Sequence, residues 1–316
     1  MEIINQPSLT FIIPTLNSEK DIKECLEGIA IQDYPKNKIK IFIMDGGSKD
    51  KTKEIAKEFN CYIIENPKVI AEYGKAIGIK KSKSDYFILL DSDNIIEDSL
   101  WLKKMIHPIL IEKDIIGVES QFGTKKEMSF LNRYAALMRI ADPIARMFVS
   151  KPEIIKKDNY IILKHKTGER IVSGANGFLW NKELVNKFWD KGEVFEEANF
   201  TTYLCEEGFC SYAVPNDTYV YHEYVKNLRD FIKKRRKIAG KFLNRKTKKI
   251  NTWLDNLSLS KKILVTLYCL SIILPLLEAI KNSIRDKDTA WFIHPVTCFI
   301  TAVLYTYSYV KWGVRG

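Results

Sequence analysis

Within the first ninety residues, short apolar runs alternate with segments of helical period, and the runs break off in polar clusters. Residues 9–14 (LTFIIP), 39–44 (IKIFIM), 61–64 (CYII) and 86–90 (YFILL) read as strands of a parallel sheet, since an unbroken apolar run implies burial on both faces. Between them, 19–32, 50–59 and roughly 70–82 read as helices; Ile22, Leu26 and Ile29 share one face, with acids near the start. Strands and helices alternating this closely predict an α/β domain with a mainly parallel sheet and right-handed crossovers. In such sheets ligands sit beyond the carboxyl ends of the strands. The polar clusters at 15–19, 45–50 and 91–94 all fall there, so the pattern predicts one site built from three loops.

Asp91-Ser92-Asp93 follows the fourth apolar run. Alternate residues at a strand end can turn two carboxylates towards one point, as a hard divalent cation requires, and such a cation neutralises a departing diphosphate. Acids at strand ends also commonly cap the next helix, so the spacing alone carries little. Asp45, one strand–helix unit earlier, adds weight to the first reading.

Some 46% of residues are hydrophobic, which excludes a disordered chain. The net charge of +11 is uneven: residues 225–250 hold twelve Lys or Arg against one acid, Asp230. Such a block suits nucleic acid or an anionic membrane face. Two apolar runs follow it, 263–280 and 291–310, each near the roughly 20 residues of a spanning helix, with Trp291, Tyr305, Tyr307, Tyr309 and Trp312 resembling interfacial belt residues. The expected partner is therefore a membrane and not nucleic acid, with Lys261 and Lys262 favouring a cytoplasmic N-terminal region. Pro275, Glu278, His294 and Pro295 interrupt the runs, which leaves a hairpin, a re-entrant pair and two buried helices as readings. Residues 128–149 read as a core-facing helix pair or an interfacial helix. The six cysteines form no CxxC pair and are expected as reduced, buried thiols; Met1–Ser8 is too short and polar for a signal peptide.

FIIPTLNSEKDIKECLEGIAIQDYP, then FIMDGGSKDKT, then GKAIGIKKSKSDYFILLDSDN together resemble the family 2 glycosyltransferases, closely over residues 9 to about 100 and loosely to about 240. The resemblance implies a GT-A fold, Rossmann-like with a mainly parallel sheet and flanking helices, plus a C-terminal helical membrane hairpin. Its parts would be a catalytic domain at 1–224, a basic amphipathic juxtamembrane segment at 225–260 and a two-helix membrane region at 261–316. It implies a nucleotide site of Pro14, Thr15, Asn17, Glu19, Asp45, Lys75, Asp91 and Ser92, and a Mn or Mg ion on Asp93, Asp91 and His222. Gly174, Ala175 and Asn176 would line the donor-sugar and acceptor pocket. Arg235 and Arg236 would contact diphosphate or lipid phosphate, or simply form a membrane-facing charge run.

Three departures bear on function. The family commonly has two consecutive acids in the second loop, where this chain has Asp45-Gly46. Its usual Glu-Asp pair is Glu196-Glu197 here, so Glu197 matches the general base and Glu196 is its rival. The relatives' Q-x-x-R-W region has decayed to KKRRKIAG (233–240), which implies transfer of one sugar and not growth of a polymer. The expected activity is inverting transfer from a UDP- or GDP-sugar to a membrane-associated glycan or lipid-linked acceptor, at the cell membrane with the catalytic domain facing the cytoplasm. A polyprenyl-phosphate acceptor is the alternative; a nucleotidyltransferase or a non-catalytic membrane scaffold is more remote.

Overall fold

A computed structural model of the chain describes residues 6–139, 142–225, 227–247 and 258–313. Its elements begin with β1 (Leu9–Thr15), α1 (Ile22–Ala30), β2 (Ile39–Asp45), α2 (Thr52–Glu58), β3 (Tyr62–Glu65), α3 (Ala71–Lys81) and β4 (Tyr86–Leu89). There follow β5 (Asn94–Ile95), α4 (Trp101–Ile111), β6 (Gly117–Glu119), β7 (Gln121–Phe122), α5 (Phe130–Met138) and α6 (Pro143–Arg146). Then come β8 (Glu153–Lys156), β9 (Tyr160–Lys164), β10 (Phe178–Asn181), α7 (Lys182–Phe188), α8 (Glu197–Glu206), β11 (Ser211–Pro215) and β12 (Tyr219–His222). The chain closes with α9 (Leu228–Thr247), α10 (Leu259–Leu270), α11 (Ile273–Asp286) and α12 (His294–Gly313). Packing divides these into two units, Met1–Phe122 with Val149–His222 and Gly123–Phe148 with Glu223–Gly316.

Among the described residues of the first unit, nine strands form a mixed sheet in the order β3-β2-β1-β4-β10-β6-β11-β9-β8, and β5-β12-β7 form a small second sheet. β1 lies between β2 and β4 and is parallel to both. Phe11 and Ile13 pack on one face with Ile22, Leu26 and Trp101, while Ile12 packs on the other with Ile79 and Phe87. Cover on both faces is why this strand is continuously apolar and not alternating. β10 runs antiparallel to both β4 and β6, which mixes the sheet.

α1 is pinned to the segment that follows the Asp91-Ser92-Asp93 cluster. The Gln32 amide donates to Asp98 O and accepts from the Leu102 amide, each at 2.9 Å. Gly28 approaches that segment so closely that a Cβ there would lie 2.5 Å from Ile96 O.

In the second unit, Leu131, Tyr134 and Met138 bury against Val225, Phe231, Ala279 and Trp291. Residues 123–148, counted above with 1–224, therefore pack with the C-terminal helices. Segment 128–149 forms two helices; the Asp142 carboxylate caps the second by accepting from the Ile144 and Ala145 amides, with Pro143 at its first position. α9 packs along α12. The run 263–280 is not one helix: Ile272, at φ +58°, breaks it, and α10 and α11 meet with a 74° bend. Three C-terminal helices thus stand where two were expected. Among the described residues, Thr289–Ser308 is the single unbroken helical stretch long and apolar enough to cross a membrane. Residues 248–257 of the expected juxtamembrane segment lie outside the described residues.

The thiol expectation needs one correction. Cys205 and Cys210 are joined by a disulfide, because the end of α8 and the entry to β11 bring their Cα atoms to 4.3 Å; Cys25, Cys61, Cys269 and Cys298 are free.

Gly28→Ala forces a methyl group against the Ile96 backbone and should cost about 1–3 kcal/mol in urea unfolding, despite alanine's better helix propensity. The same change should weaken Mn2+ binding, read by calorimetric titration, by displacing the segment after Asp93.

Candidate active site

Backbone and side-chain hydrogen bonds tie the first two loops to each other. The Gly46 amide donates to Thr15 O at 2.9 Å. Asn17, at φ +51°, donates its amide to Ser48 Oγ and accepts at Oδ1 from the Lys49 amide, both at 2.9 Å. The Glu19 carboxylate accepts from the Lys51 amide at 3.1 Å. The Ser18 amide donates to Thr52 Oγ1 at 2.8 Å, and Ser92 Oγ donates to Ser18 Oγ at 3.0 Å, which joins the third loop. Pro14, Thr15, Asn17, Glu19, Asp45, Ser92 and Asp91 are therefore brought to one sheet edge; Thr15 Oγ1 is buried with no hydrogen-bond partner in its surroundings.

Asp45 is buried, and its carboxylate accepts from the Gly47 and Ser48 amides at 3.1–3.2 Å. The geometry explains the missing second acid. A Cβ on Gly46 would meet Val69 Cγ1 at 3.1 Å and Thr15 O at 3.4 Å, and Gly47 holds φ +91°. Neither position welcomes an ordinary side chain.

The third loop holds residues that could bind a metal ion. The Asp91 amide donates to Asn94 Oδ1 at 2.9 Å, and the Asn94 amide returns to Asp91 O at 3.1 Å, which folds the turn. β5 then pairs antiparallel with β12, placing His222 opposite Asn94. The His222 ring is packed against Phe122, with centroids 6.2 Å apart, and its Nε2 stands 3.3 Å from Asp93 Oδ1. One donor atom each from Asp91, Asp93 and His222 lies within 4.8 Å of the others. Two carboxylates and an imidazole, half-buried and converging, fit a divalent cation of the Mg or Mn kind, and the nitrogen donor suits Mn better.

The remaining carboxylates sit at the start of α8. Glu197 forms an ion pair with Lys75 of α3, and their side chains are only 12% and 10% exposed. Burial alone pushes the Lys75 ammonium towards deprotonation, but the carboxylates of Glu197 and then Asp91 outweigh it and hold it above the usual lysine range. Lys75 thus stands in the fields of both Glu197 and the metal loop. Gly174, at φ +101°, lies against this pair: a Cβ would come within 2.4 Å of the Trp180 ring and 3.2 Å of Glu197 Cβ. Trp180 Nε1 donates to Gly174 O at 3.0 Å and fixes the turn, leaving Ala175 exposed and Asn176 half-buried. Glu196 points elsewhere and accepts from the Asn199 amide group.

Arg235 is a correction. It belongs to the second unit, where it is buried, lies 2.9 Å from Asp142 Oδ2 and donates to the Tyr224 hydroxyl. Its charge is already matched there, which removes it from contact with a diphosphate or lipid phosphate. Arg236 is exposed on α9.

The family description "Glycosyl transferase family 2" matches residues 10–171, which include the three loops and β1–β4. The chain belongs to this family. Among its relatives, the dolichyl N-acetyl-alpha-D-glucosaminyl phosphate 3-beta-D-2,3-diacetamido-2,3-dideoxy-beta-D-glucuronosyltransferase of Methanococcus voltae is 27% identical over 98% of both chains. Glycosyltransferase AglE of Haloferax volcanii is 28% identical over 46% of this chain and 50% of its own length. In structure, the mannosyltransferase PcManGT of Pyrobaculum calidifontis, solved with GDP-Man and Mn2+, matches with a TM-score of 0.59 over 96% of this chain and 88% of that one, at 13% identity. The fold of this glycosyltransferase is GT-A.

The Lys75–Glu197 pair, 122 residues apart in the chain, had no signal in local sequence. Lys75→Met leaves a buried carboxylate unpaired and should destabilise this glycosyltransferase by about 3 kcal/mol in urea unfolding. Adding Glu197→Gln should recover most of that loss, as a double-mutant cycle would record.

Proposed function

We propose that this glycosyltransferase moves one sugar, with inversion, from a UDP- or GDP-sugar to a hydroxyl of a lipid-linked or other membrane-associated glycan. The observation that carries the reading is Lys75, which pairs with Glu197 and also lies in the field of Asp91. It brings a buried carboxylate into the neighbourhood of the metal loop. In this reading Pro14, Thr15, Asn17, Glu19, Asp45 and Ser92 hold the nucleotide, and Asp91, Asp93 and His222 hold the metal. A divalent cation there supplies positive charge against the leaving diphosphate.

Glu197 acts as general base. As the acceptor oxygen forms its bond to the anomeric carbon, Glu197 takes the hydroxyl proton, and the bond from that carbon to the diphosphate oxygen breaks. A single displacement inverts the centre. Gly174, Ala175 and Asn176 line the donor sugar, where the absence of a Cβ at Gly174 lets backbone and Glu197 lie close. Glu196, which accepts from Asn199, is the rival candidate for the base. The name of the Methanococcus voltae relative describes sugar transfer to a dolichyl-phosphate-linked sugar, which supports a lipid-linked hydroxyl acceptor over a bare phosphate. The basic 225–250 block supports a membrane location, since such a block suits an anionic membrane face, and the first unit is assigned to the cytoplasmic side.

UDP- and GDP-sugars screened with Mn2+ test the scheme by product. Nucleoside diphosphate is expected to be released, and pyrophosphate would point to nucleotidyl transfer instead. Asp93→Ala should abolish metal-dependent turnover. Glu197→Gln should lower kcat by about 10²–10⁴ while leaving binding of UDP or GDP with Mn2+ intact. Transfer that survives Glu197→Gln would favour a phosphate acceptor, which needs no base.

A further inference from the structure

The second unit shows the same asymmetry three times. On α12, the exposed apolar residues from just ahead of the helix onward are Phe292, Val296, Phe299, Val303, Tyr307 and Val310, spaced by three or four throughout. On α11 they include Ile273, Leu277, Ile280 and Ile284, and on α10 Ile263, Leu267 and Leu270. On α12 they form a single stripe, whereas α10 also exposes Leu264, and α11 Leu274 and Leu276, which widen theirs to a broad apolar side. The opposite face of α12 is polar and buried: Tyr134 Oη stands 2.6 Å from His294 Nδ1 and 2.7 Å from Thr297 Oγ1.

A spanning reading meets two obstacles inside this unit. α10 and α11 have 12 and 14 residues, about 18 and 21 Å at 1.5 Å per residue, and their 74° bend shortens their joint reach. The hydrocarbon core is about 30 Å thick. α12 is long enough, but α9 packs along it. Near the middle of α12, Tyr305 donates to Asp142, and the same carboxylate lies 2.9 Å from Arg235 of α9. The neighbours of Arg235 on α9 include Lys233, Arg236 and Lys237, all exposed. If α12 crossed a bilayer, these three cations would sit near its midplane, facing lipid.

Charge settles the kind of surface that fits. In 258–313 the acids Glu278, Asp286 and Asp288 contact Arg146, Arg285 and Arg133 respectively. Exposed Lys261, Lys262, Lys281, Lys287 and Lys311 have no acidic counterpart among the described residues of this segment.

We infer that α10, α11 and α12 sit in one leaflet of a bilayer with anionic headgroups, their apolar stripes at the acyl boundary, and that none of them crosses. This rests on the membrane location proposed above and specifies its form. Amphipathic helices with one apolar stripe and flanking lysines bind interfaces in this way.

The test uses the full chain reconstituted into phosphatidylcholine vesicles with and without phosphatidylglycerol. Lys237→Cys on α9, Thr289→Cys between α11 and α12, and Lys311→Cys at the end of α12 are labelled with an impermeant maleimide before and after detergent, each counted as the gain over the wild-type chain. In one leaflet all three positions lie on the same side, so all three should react to the same fraction before detergent, whatever the orientation of the vesicles. Complementary fractions at Lys237 and Thr289 would mean that the α10–α11 pair crosses, and at Thr289 and Lys311 that α12 crosses; either would overturn the single-leaflet arrangement while keeping the membrane. Failure to float with either vesicle would overturn the membrane location itself. Equal flotation on both vesicles would overturn the anionic preference. Leu267→Glu with Leu277→Glu should cut the floated fraction by about tenfold, because both side chains would carry charge into the boundary.

Discussion

β1 is the strand to which the first unit is aligned. Its two neighbours run parallel to it, so three strand ends and their loops emerge on one side. Both of its faces are covered, so a polar substitution on either face would be buried without a partner. The site inherits its position from this arrangement. Thr15 O, the last acceptor of the strand, holds Gly46 of the second loop, and Ser18 holds the third. Three loops become one surface because a single buried strand sets their spacing.

Upon that frame the charges are arranged sparingly. Two carboxylates and an imidazole converge on one point, and a third carboxylate, Glu197, is kept out of that group by its own cation. Without Lys75, Glu197 would add negative charge to a neighbourhood already rich in it. In the proposed scheme the ion pair would keep two chemical tasks apart, holding a cation and accepting a proton.

Most of the first unit was legible because parallel strands buried on both faces announce themselves as unbroken apolar runs. The loops were legible because glycine and acid residues follow those runs directly, as in Asp45-Gly46-Gly47 and Asp91-Ser92-Asp93. His222 was assigned by resemblance; what puts it beside Asp93 is the pairing of β12 with the two-residue β5, too short to leave a pattern. β10 enters the sheet against the local direction, and nothing in Phe178–Asn181 encodes that. The C-terminal runs were less legible for a different reason. Hydropathy counts how apolar a segment is, whereas the fate of 263–280 depended on a break at Ile272 and on which face of each helix stays exposed. Arg235 looked like one cation in a basic block; its acid, Asp142, lies ninety-three positions earlier.

Asp45 has a consequence of its own. Its two oxygens are already held by the amides of its own loop, and the crowding at Gly46 leaves no second acid beside it. A donor group arriving at Asp45 would meet an acceptor whose direction is set in advance and which needs no reordering. Such a contact loses little entropy on forming, and it tolerates little deviation in the shape of what it receives. Discrimination between nucleotide bases at this position would then be a matter of steric register, not of a side chain that adapts to its guest.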